Sequence, residues 1–199
     1  MTIDGRTLRN ALGHFATGVT VVTYEADGDR CGVTVNAFTA VSLDPPLVLV
    51  SLDRRSRASE FVGARPFVVN ILSAAQCDLA LNFAGRVQPD VAVSWADRPG
   101  APRFTDSSAY FDCTPWQTYD GGDHVLVLGE VQALDLSGGE PLLFYGGRFR
   151  SVGGFPDAIL EPTFVPDPGW FGETRQSLFP PEYVERLRAD HPAHRGGST

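Results

Sequence analysis

The apolar residues near the amino terminus repeat with the period of an α-helix. Between residues 6 and 16 they occupy positions i, i+3, i+4, i+7 and i+8, which are Leu8, Ala11, Leu12, Phe15 and Ala16. This spacing gathers apolar side chains on one face of a helix. The pattern predicts an amphipathic helix from Arg6 to Ala16.

The period changes to that of a β-strand after residue 17. Val and Thr alternate with other residues, and two breaks interrupt them, the segment EADGDR and the pair Pro45–Pro46. Alternation is typical of half-buried strands, and clusters of Gly, Asp and Pro mark turns. We predict three strands, at about residues 18–25, 30–42 and 46–52.

Helical and extended patterns then follow one another up to residue 84. SRASEFVGA predicts a short helix, RPFVVNIL a strand and AAQCDLALNFAG a second helix, in which Leu79, Ala80 and Phe83 face inward. Residues 85–107 are polar and contain proline. Loops of this length are uncommon in compact domains, so this one is a candidate lid or binding segment.

The next segments again have the composition of strands. SAYFDCTPWQTYDGGDHVLVLGEVQALDL predicts two long strands joined through Asp120-Gly121-Gly122, and PLLFYGGRFRSV predicts one more strand or hairpin. About seven strands with few helices favour a mainly β fold, a closed or half-closed antiparallel barrel. No GxGxxG motif follows a strand, which excludes a Rossmann dinucleotide-binding unit.

Proline becomes frequent after residue 152. We predict one domain over residues 1–152 and an appendage over residues 153–199, which holds seven prolines and a short helix near 181–190. Three aromatic residues of the appendage, Trp170, Phe171 and Phe179, could anchor it. They favour packing against the protein's own dimer, with disorder or binding to a partner as the alternatives.

Composition narrows the classes of function. The 199 residues carry a net charge of −8 and an isoelectric point near 4.9, which argues against a nucleic-acid partner. All 16 basic residues are arginine, which excludes mechanisms that need a lysine amine. The amino terminus has no apolar leader and no apolar run could span a bilayer, so we expect neither secretion nor contact with a membrane.

The cysteines and histidines do not form a metal or hydrolase signature. Cys31, Cys77 and Cys113 lack the spacing of a zinc site or a disulfide framework. We interpret them as buried thiols in a reducing cytoplasm. No G-x-S-x-G motif is present, and only His14 and His124 fall within the predicted domain.

Two segments suggest contacts with a ligand. In a strand, Thr34 and Asn36 would share a face with Phe38, where they could bind a ligand or form cross-strand polar pairs without one. The segment SLDRRSRASEF places three arginines and Ser56 where a strand ends and a helix begins. This is either an anion site suited to phosphate or a helix cap with solvated arginines.

Two further positions are open to two interpretations. Asn82 ends an apolar helix next to Phe83, where an asparagine is often only a C-cap residue. His124 begins a long strand after a tight turn, a place for a ligand contact or for a structural histidine.

Taken in order, these motifs resemble the flavin reductase family, the FMN-binding split-barrel proteins that serve two-component flavin-dependent monooxygenases. The segments are FATGVTVVT, GVTVNAFTAVSLDPPLV, NFAG and GDHVLVLGEV, and the resemblance covers about residues 6–152. It implies a Greek-key split β-barrel with peripheral helices and a homodimer. It also implies FMN or FAD in a groove near the subunit interface, NADH or NADPH as the electron donor, and a monooxygenase as the partner.

The resemblance assigns roles to particular residues. The isoalloxazine ring would be lined by Thr34, Val35, Asn36 and Ala37, and the ribityl chain by Ser51, Leu52 and Asp53. The phosphate would meet Ser56 with a neighbouring arginine, and the cofactor would be covered by Asn82 and Phe83. The nicotinamide would be bordered by His124, the expected catalytic residue, with Tyr145 and Arg148.

The chain departs from the family in two places. Relatives often carry a second hydroxyl two residues after the phosphate-binding serine, whereas this chain has Ala58. Phosphate binding would then depend on Arg55, Arg57 or Ser59. Where relatives often read D-K-F after the Asn-Phe helix, this chain reads QPDVAV, within the long loop.

The implied reaction requires little of the side chains. Hydride passes from nicotinamide C4 to flavin N5, so the protein stacks the rings and donates hydrogen bonds near N1 and O2. His124 would position the nicotinamide rather than act as an acid or base. The alternatives are a flavoenzyme that keeps its flavin and acts on an organic substrate, and a non-enzymatic sensor of flavin or haem.

Overall fold

The computed structural model describes residues 3–86 and 91–152, and the predicted appendage lies outside this part of the chain. The helices are α1 (Gly5–Leu12), α2 (Ala58–Phe61) and α3 (Cys77–Phe83), with a 3₁₀ turn at Ala74–Gln76 before α3. The strands are β1 (Thr17–Gly18), β2 (Thr20–Ala26), β3 (Asp29–Val35), β4 (Phe38–Leu43), β5 (Pro46–Asp53), β6 (Phe67–Ile71), β7 (Ala109–Gly121), β8 (His124–Leu136), β9 (Leu143–Tyr145) and β10 (Arg148–Arg150). The predicted mainly β class is confirmed.

Seven strands form one antiparallel sheet, in the order β3-β2-β6-β7-β8-β5-β4. β3 and β4 lie at opposite ends of this order, yet only Asn36 and Ala37 separate them along the chain. The sheet must therefore curl until its ends meet. At this junction the N–H of Ser51 donates to the carbonyl of Ala37 at 3.0 Å. The result is a barrel-like antiparallel sheet whose two end strands are β3 and β4.

The predicted single strand at residues 30–42 is wrong, because the corner at Asn36-Ala37 divides it into β3 and β4. The corner also restarts the alternation of side chains. Phe38 packs with the interior cluster that contains Val35, and it does not share a face with Thr34. The sequence pattern missed this corner because both flanking segments are rich in strand-forming residues.

Strand β2 is buried on both faces. Val22 and Tyr24 belong to the cluster inside the barrel, whereas Val21 belongs to a second cluster under α3. Leu79 and Ala80 are buried in this outer cluster and Phe83 packs against it. The predicted inward face of α3 is therefore confirmed.

The described part of the long loop packs against the outside of the barrel. Asn70 is fully buried, and its Oδ1 accepts the N–H of Phe104 at 3.1 Å while its Nδ2 donates to the carbonyl of Val21 at 2.9 Å. Trp95 lies against Phe104 with ring centroids 4.9 Å apart. This packing anchors the second half of the loop to the barrel.

The predicted long hairpin is confirmed as β7 and β8, each of 13 residues. Its turn is Gly122-Asp123, slightly later than predicted, because Asp120 and Gly121 still pair with β8. β7 pairs with β6 over its first five residues, and β8 pairs with β5 from His124 onwards. The hairpin therefore joins the two halves of the barrel.

A second, three-stranded sheet has the order β1-β9-β10, and β9 and β10 are the hairpin that the sequence predicted. Next to it, α1 ends at Leu12 instead of Ala16, since Gly13 forms its C-cap. Its apolar face is exposed in the single chain: Leu8 is 47% and Leu12 65% exposed, and Phe15, just beyond the helix, is 76% exposed.

The three cysteines are free thiols, but only Cys113 is buried, so the prediction of three buried thiols is wrong for Cys31 and Cys77. Burial raises the pKa of the Cys113 thiol to about 12. Within residues 3–86 and 91–152, none of the helices has the length and apolar character needed to cross a membrane.

Candidate active site

The segment after β5 carries the arginines that were expected to bind phosphate. Arg55 Nη2 donates to Asp53 Oδ2 at 2.7 Å, and Arg57 forms an ion pair with Asp27 in the β2–β3 turn. Arg54 Nη2 donates to Asp120 Oδ1 at 2.7 Å. All three guanidinium groups thus have carboxylate partners, while all three arginine side chains remain exposed to solvent.

The two hydroxyl groups of this segment stabilise its turn. Ser56 Oγ donates to the carbonyl of Asp53 at 2.7 Å, and Ser59 Oγ donates to the carbonyl of Ser56 at 2.8 Å. A phosphate dianion has only acceptor atoms, so each hydroxyl would have to exchange its present acceptor to bind one. Ser56 does not act as a side-chain cap for α2, whose N-cap residue is Arg57.

Arg55 is the side chain best placed to meet an anion. It is 89% exposed, and its hydrogen bonds with Asp53 leave further N–H groups of the guanidinium for another acceptor. The same bonds hold the pKa of Asp53 well below its usual range. A guanidinium with spare donors beside two hydroxyls is a donor set that fits the phosphate of a flavin nucleotide.

The corner between β3 and β4 holds the residues assigned to the flavin ring. Thr34 Oγ1 donates to the carbonyl of Ala80 at 2.7 Å, so this hydroxyl connects β3 to α3. Val35 is buried, whereas Asn36 and Ala37 are exposed, and Asn36 Nδ2 donates to Thr17 Oγ1 at 3.3 Å. A planar ring could lie on the exposed side of this corner, where Ala37 presents only a methyl group.

Asn82 and Phe83 are the last two residues of α3, and both are half-buried. The C-cap residue is Ala84, so the interpretation of Asn82 as the cap is wrong. The ring of Phe83 lies directly over Gly32 in β3, where a Cβ atom would be 2.9 Å from Phe83 Cδ1. Glycine at position 32 therefore allows the end of α3 to approach the strand that leads to the corner.

His124 is the first residue of β8 and faces Asp53 in the β5–β8 register. Its Nδ1 lies 2.7 Å from Asp123 Oδ1, and this hydrogen bond lowers the pKa of Asp123. An ionised carboxylate can only accept, so Nδ1 carries the proton and Nε2 is left for other contacts. The imidazole is 40% exposed, which leaves it accessible to a ligand.

Tyr145 and Arg148 face each other in the β9–β10 hairpin, and both are exposed. The hydroxyl of Tyr145 lies 3.4 Å from His14 Nδ1. These two residues belong to the three-stranded sheet and His124 to the barrel sheet. Their grouping around one nicotinamide stays a prediction.

Sequence reasoning missed two residues that organise this region, Thr17 and Asp123, and it missed the contacts that Arg54 makes. Thr17 accepts from Asn36, Asp123 accepts from His124, and Arg54 binds the β7–β8 turn. The adjacency of Asp123 to His124 was a usable signal. Thr17 gave none, and neither did the contacts of Arg54, because the partners are distant in sequence.

A cavity of about 520 Å³ lies elsewhere, between the 3₁₀ turn and the long loop. It contains none of the predicted site residues, and the carboxylates of Asp78 and Asp106 line it. Two acidic groups disfavour a phosphate, so this cavity does not fit the flavin nucleotide. Across residues 3–86 and 91–152, no cluster of His, Cys, Asp and Glu could hold a metal ion.

Comparison with known proteins agrees with these observations. The sequence profile of the family described as "Flavin reductase like domain" matches residues 12–153. Among curated relatives, a probable flavin reductase of Rhizobium meliloti is 47% identical over 139 residues, 68% of this chain but only 45% of that protein. The HsaB reductase subunit of a flavin-dependent monooxygenase from Mycobacterium tuberculosis is 40% identical over 159 residues, 75% of this chain and 83% of that one.

A solved structure extends the similarity to the fold. The NADH:FAD oxidoreductase SgcE6 of Streptomyces globisporus superposes with a TM-score of 0.70 at 36% identity, covering 79% of this chain and 95% of that chain. This similarity confirms the split β-barrel that the motifs implied. With the family profile matched along most of the described residues, the chain belongs to the flavin reductase like domain family.

Proposed function

We propose that this chain is an NAD(P)H-dependent flavin reductase, which reduces FMN or FAD and supplies the reduced flavin to a partner monooxygenase. Family membership supports the class of reaction. The relatives named as a monooxygenase reductase subunit and as an NADH:FAD oxidoreductase support the partner, the flavin and the electron donor.

One structural observation supports the assignment of this activity to particular residues. Asp53 and His124 are register partners, and the arginine and serine segment begins directly after Asp53. The proposed phosphate contacts, Arg55, Ser56 and Ser59, therefore start beside the histidine assigned to the nicotinamide. Under this proposal, the contacts for both nucleotides would lie at one end of the β5–β8 pair.

The residues of this chain would act by binding and orientation. When bound, the flavin supplies the hydride-accepting chemistry. Asn36 and Ala37 would hold its ring at the corner, and Ser51 with Leu52 and Asp53 would follow its ribityl chain along the end of β5. The Asp123 carboxylate orients the imidazole of His124 through Nδ1, which leaves Nε2 to contact the nicotinamide carboxamide.

The oligomeric state and the compartment are parts of the same proposal. A homodimer would cover the exposed apolar face of α1, and large apolar surfaces on soluble chains usually mark interfaces. Three free thiols agree with a reducing compartment, and we propose the cytoplasm.

The test is the oxidation of NADH, followed by its near-ultraviolet absorbance, with FMN, FAD or riboflavin added in turn. A flavin reductase turns over in proportion to the added free flavin and delivers electrons to cytochrome c. Turnover that depends instead on a copurified flavin and an organic acceptor would overturn the proposal, as would a bound chromophore without NADH oxidation.

A further inference from the structure

Arg54 connects the proposed phosphate segment with the hairpin that carries His124. Its backbone N–H donates to the carbonyl of Asp123 at 3.0 Å, and its Nε donates to the carbonyl of Gly122 at 2.7 Å. Its Nη2 donates to Asp120 Oδ1, also at 2.7 Å. One arginine thus binds three of the four residues that precede His124.

The carboxylate that Arg54 binds also shapes the turn. Asp120 Oδ1 accepts the N–H of Gly122 at 2.8 Å, and Gly122 has a φ of +77°, a conformation that favours glycine. The Gly122 N–H and the Arg54 guanidinium hold the pKa of Asp120 below its usual range. Asp120 is therefore ionised at neutral pH, and the acceptor of Arg54 carries a full charge.

These contacts are exposed, so their effect is on geometry more than on stability. Arg54 and Asp120 are 44% and 81% exposed, and ion pairs in such positions contribute little to folding. A planar guanidinium bound at two atoms nevertheless fixes the direction of its partner. Here the partner is the turn from which His124 projects.

The other end of the connection lies in the phosphate segment. The carbonyl of Arg54 accepts Ser59 Oγ at 3.2 Å, and the next residue, Arg55, is bonded to Asp53. A phosphate bound by Ser59 and Arg55 would order the backbone on both sides of Arg54. That backbone already carries the hydrogen bond to Asp123.

We propose that Arg54 is a positioning residue that couples the flavin-phosphate segment to the His124 hairpin. Flavin binding orders the segment, and the hydrogen bonds of Arg54 then fix the turn. The fixed turn holds His124 in position for the nicotinamide. Because coupling between two sites is reciprocal, the nicotinamide nucleotide also tightens flavin binding. This inference depends on the proposed function.

The experiment is a fluorescence titration of FMN with and without saturating NAD⁺, which binds without transferring hydride. The ratio of the two FMN affinities is the coupling factor. We expect a factor of at least about 5 for the wild-type chain, the low end of common coupling energies. In Arg54→Gln it should fall below about 2, with a raised KM for NADH at saturating flavin and a smaller change in kcat.

Arg57→Gln is the matched control. It removes the same charge from the same segment, but its partner is Asp27 in a different turn. We expect it to weaken FMN binding while it keeps the coupling factor. Arg54→Lys retains the charge without the two-point contact and should not restore coupling.

Three results would overturn the inference: a wild-type chain without coupling, an Arg54→Gln variant that keeps it, or an Arg57→Gln variant that loses it equally. If Arg54→Gln does not fold, Asp120→Ala removes the same hydrogen bond by deleting its acceptor in the turn. Its coupling factor, measured in the same way, should also fall below about 2. Failure of the proposed function is distinguishable, because the wild-type chain would then not oxidise NADH in proportion to added free flavin.

Discussion

The ring of Phe67 in β6 lies over Gly129 in β8, inside the barrel. A Cβ atom at position 129 would lie 2.6 Å from Phe67 Cζ and 3.0 Å from Cys113 Cβ. Phe67 is fully buried in the interior cluster. The absence of a side chain at Gly129 therefore leaves the room that the Phe67 ring occupies inside the barrel.

Gly129→Ala should destabilise the fold by about 1–3 kcal/mol, because the added methyl group overpacks the interior. Urea unfolding followed by circular dichroism measures this change. Gly18→Ala is the control, since a Cβ there meets nothing within 4 Å, and its effect should stay within about 0.5 kcal/mol. Equal stability of the two variants would show that the interior can relax around Phe67.

His124→Ala should raise the KM for NADH and lower kcat on the order of 10-fold, with flavin affinity nearly unchanged. The reason is that the imidazole positions the nicotinamide and transfers no proton. Steady-state kinetics and FMN titration separate the two effects. Gln132→Ala, farther along the same strand, is the control; a His124→Ala variant with normal kinetics but weakened flavin binding would make this histidine structural.

Ser56→Ala and Arg55→Ala should each weaken FMN binding by roughly 1–3 kcal/mol, the range for a charge-assisted or buried hydrogen bond. Riboflavin, which lacks the phosphate, should bind both variants like the wild-type chain. Arg65→Ala removes an equal charge, but its guanidinium lies over the Phe61 ring, and it serves as the control. Unchanged FMN affinity in both variants would show that the 54–59 segment does not bind the phosphate.

Leu12→Asp should weaken the proposed homodimer by more than about tenfold, because it places a charge on the exposed apolar face of α1. Light scattering across a dilution series measures the monomer–dimer equilibrium. Asn10→Asp introduces the same residue on the opposite side of the helix and should leave the equilibrium unchanged. A fully active wild-type monomer at micromolar concentration would contradict this prediction.

Cys113 should resist alkylation in the folded chain while Cys31 and Cys77 react. Its pKa rises from 9.0 to about 12 because the thiol is buried. The folded pKa lies above the unfolded one, so the neutral thiol stabilises the fold fully below pH 9, and this contribution is lost as the pH rises towards 12. Iodoacetamide labelling with peptide mass spectrometry gives the order of reaction, and Cys113→Ala should flatten the alkaline loss of stability.

Local patterns in the sequence predicted those parts of the fold that depend on neighbours in the chain. The β7–β8 hairpin and the inward face of α3 followed from alternation and helical spacing, and both are present. The corner at Asn36-Ala37 was missed because it is imposed by closure of the sheet. No local signal distinguishes it from a continuous strand.

The candidate site shows the same difference between features that local patterns predict and contacts that depend on the tertiary fold. The arginines and Ser56 were found from their clustering, but their ion pairs with Asp27 and Asp120 were not predicted. Arg54 and Asp120 are 66 positions apart in the chain. Such a contact depends on the register between β5 and β8, which composition and spacing do not determine.

The long hairpin also bears on the order in which the chain folds. β7 and β8 need only the turn at Gly122-Asp123 to meet, so their pairing carries almost no cost of loop closure. Pairing of β2 with β6, and of β5 with β8, must instead enclose long stretches of chain. We expect the hairpin to acquire protection from amide hydrogen exchange first during refolding, and β5 and β6 to add to its two sides afterwards.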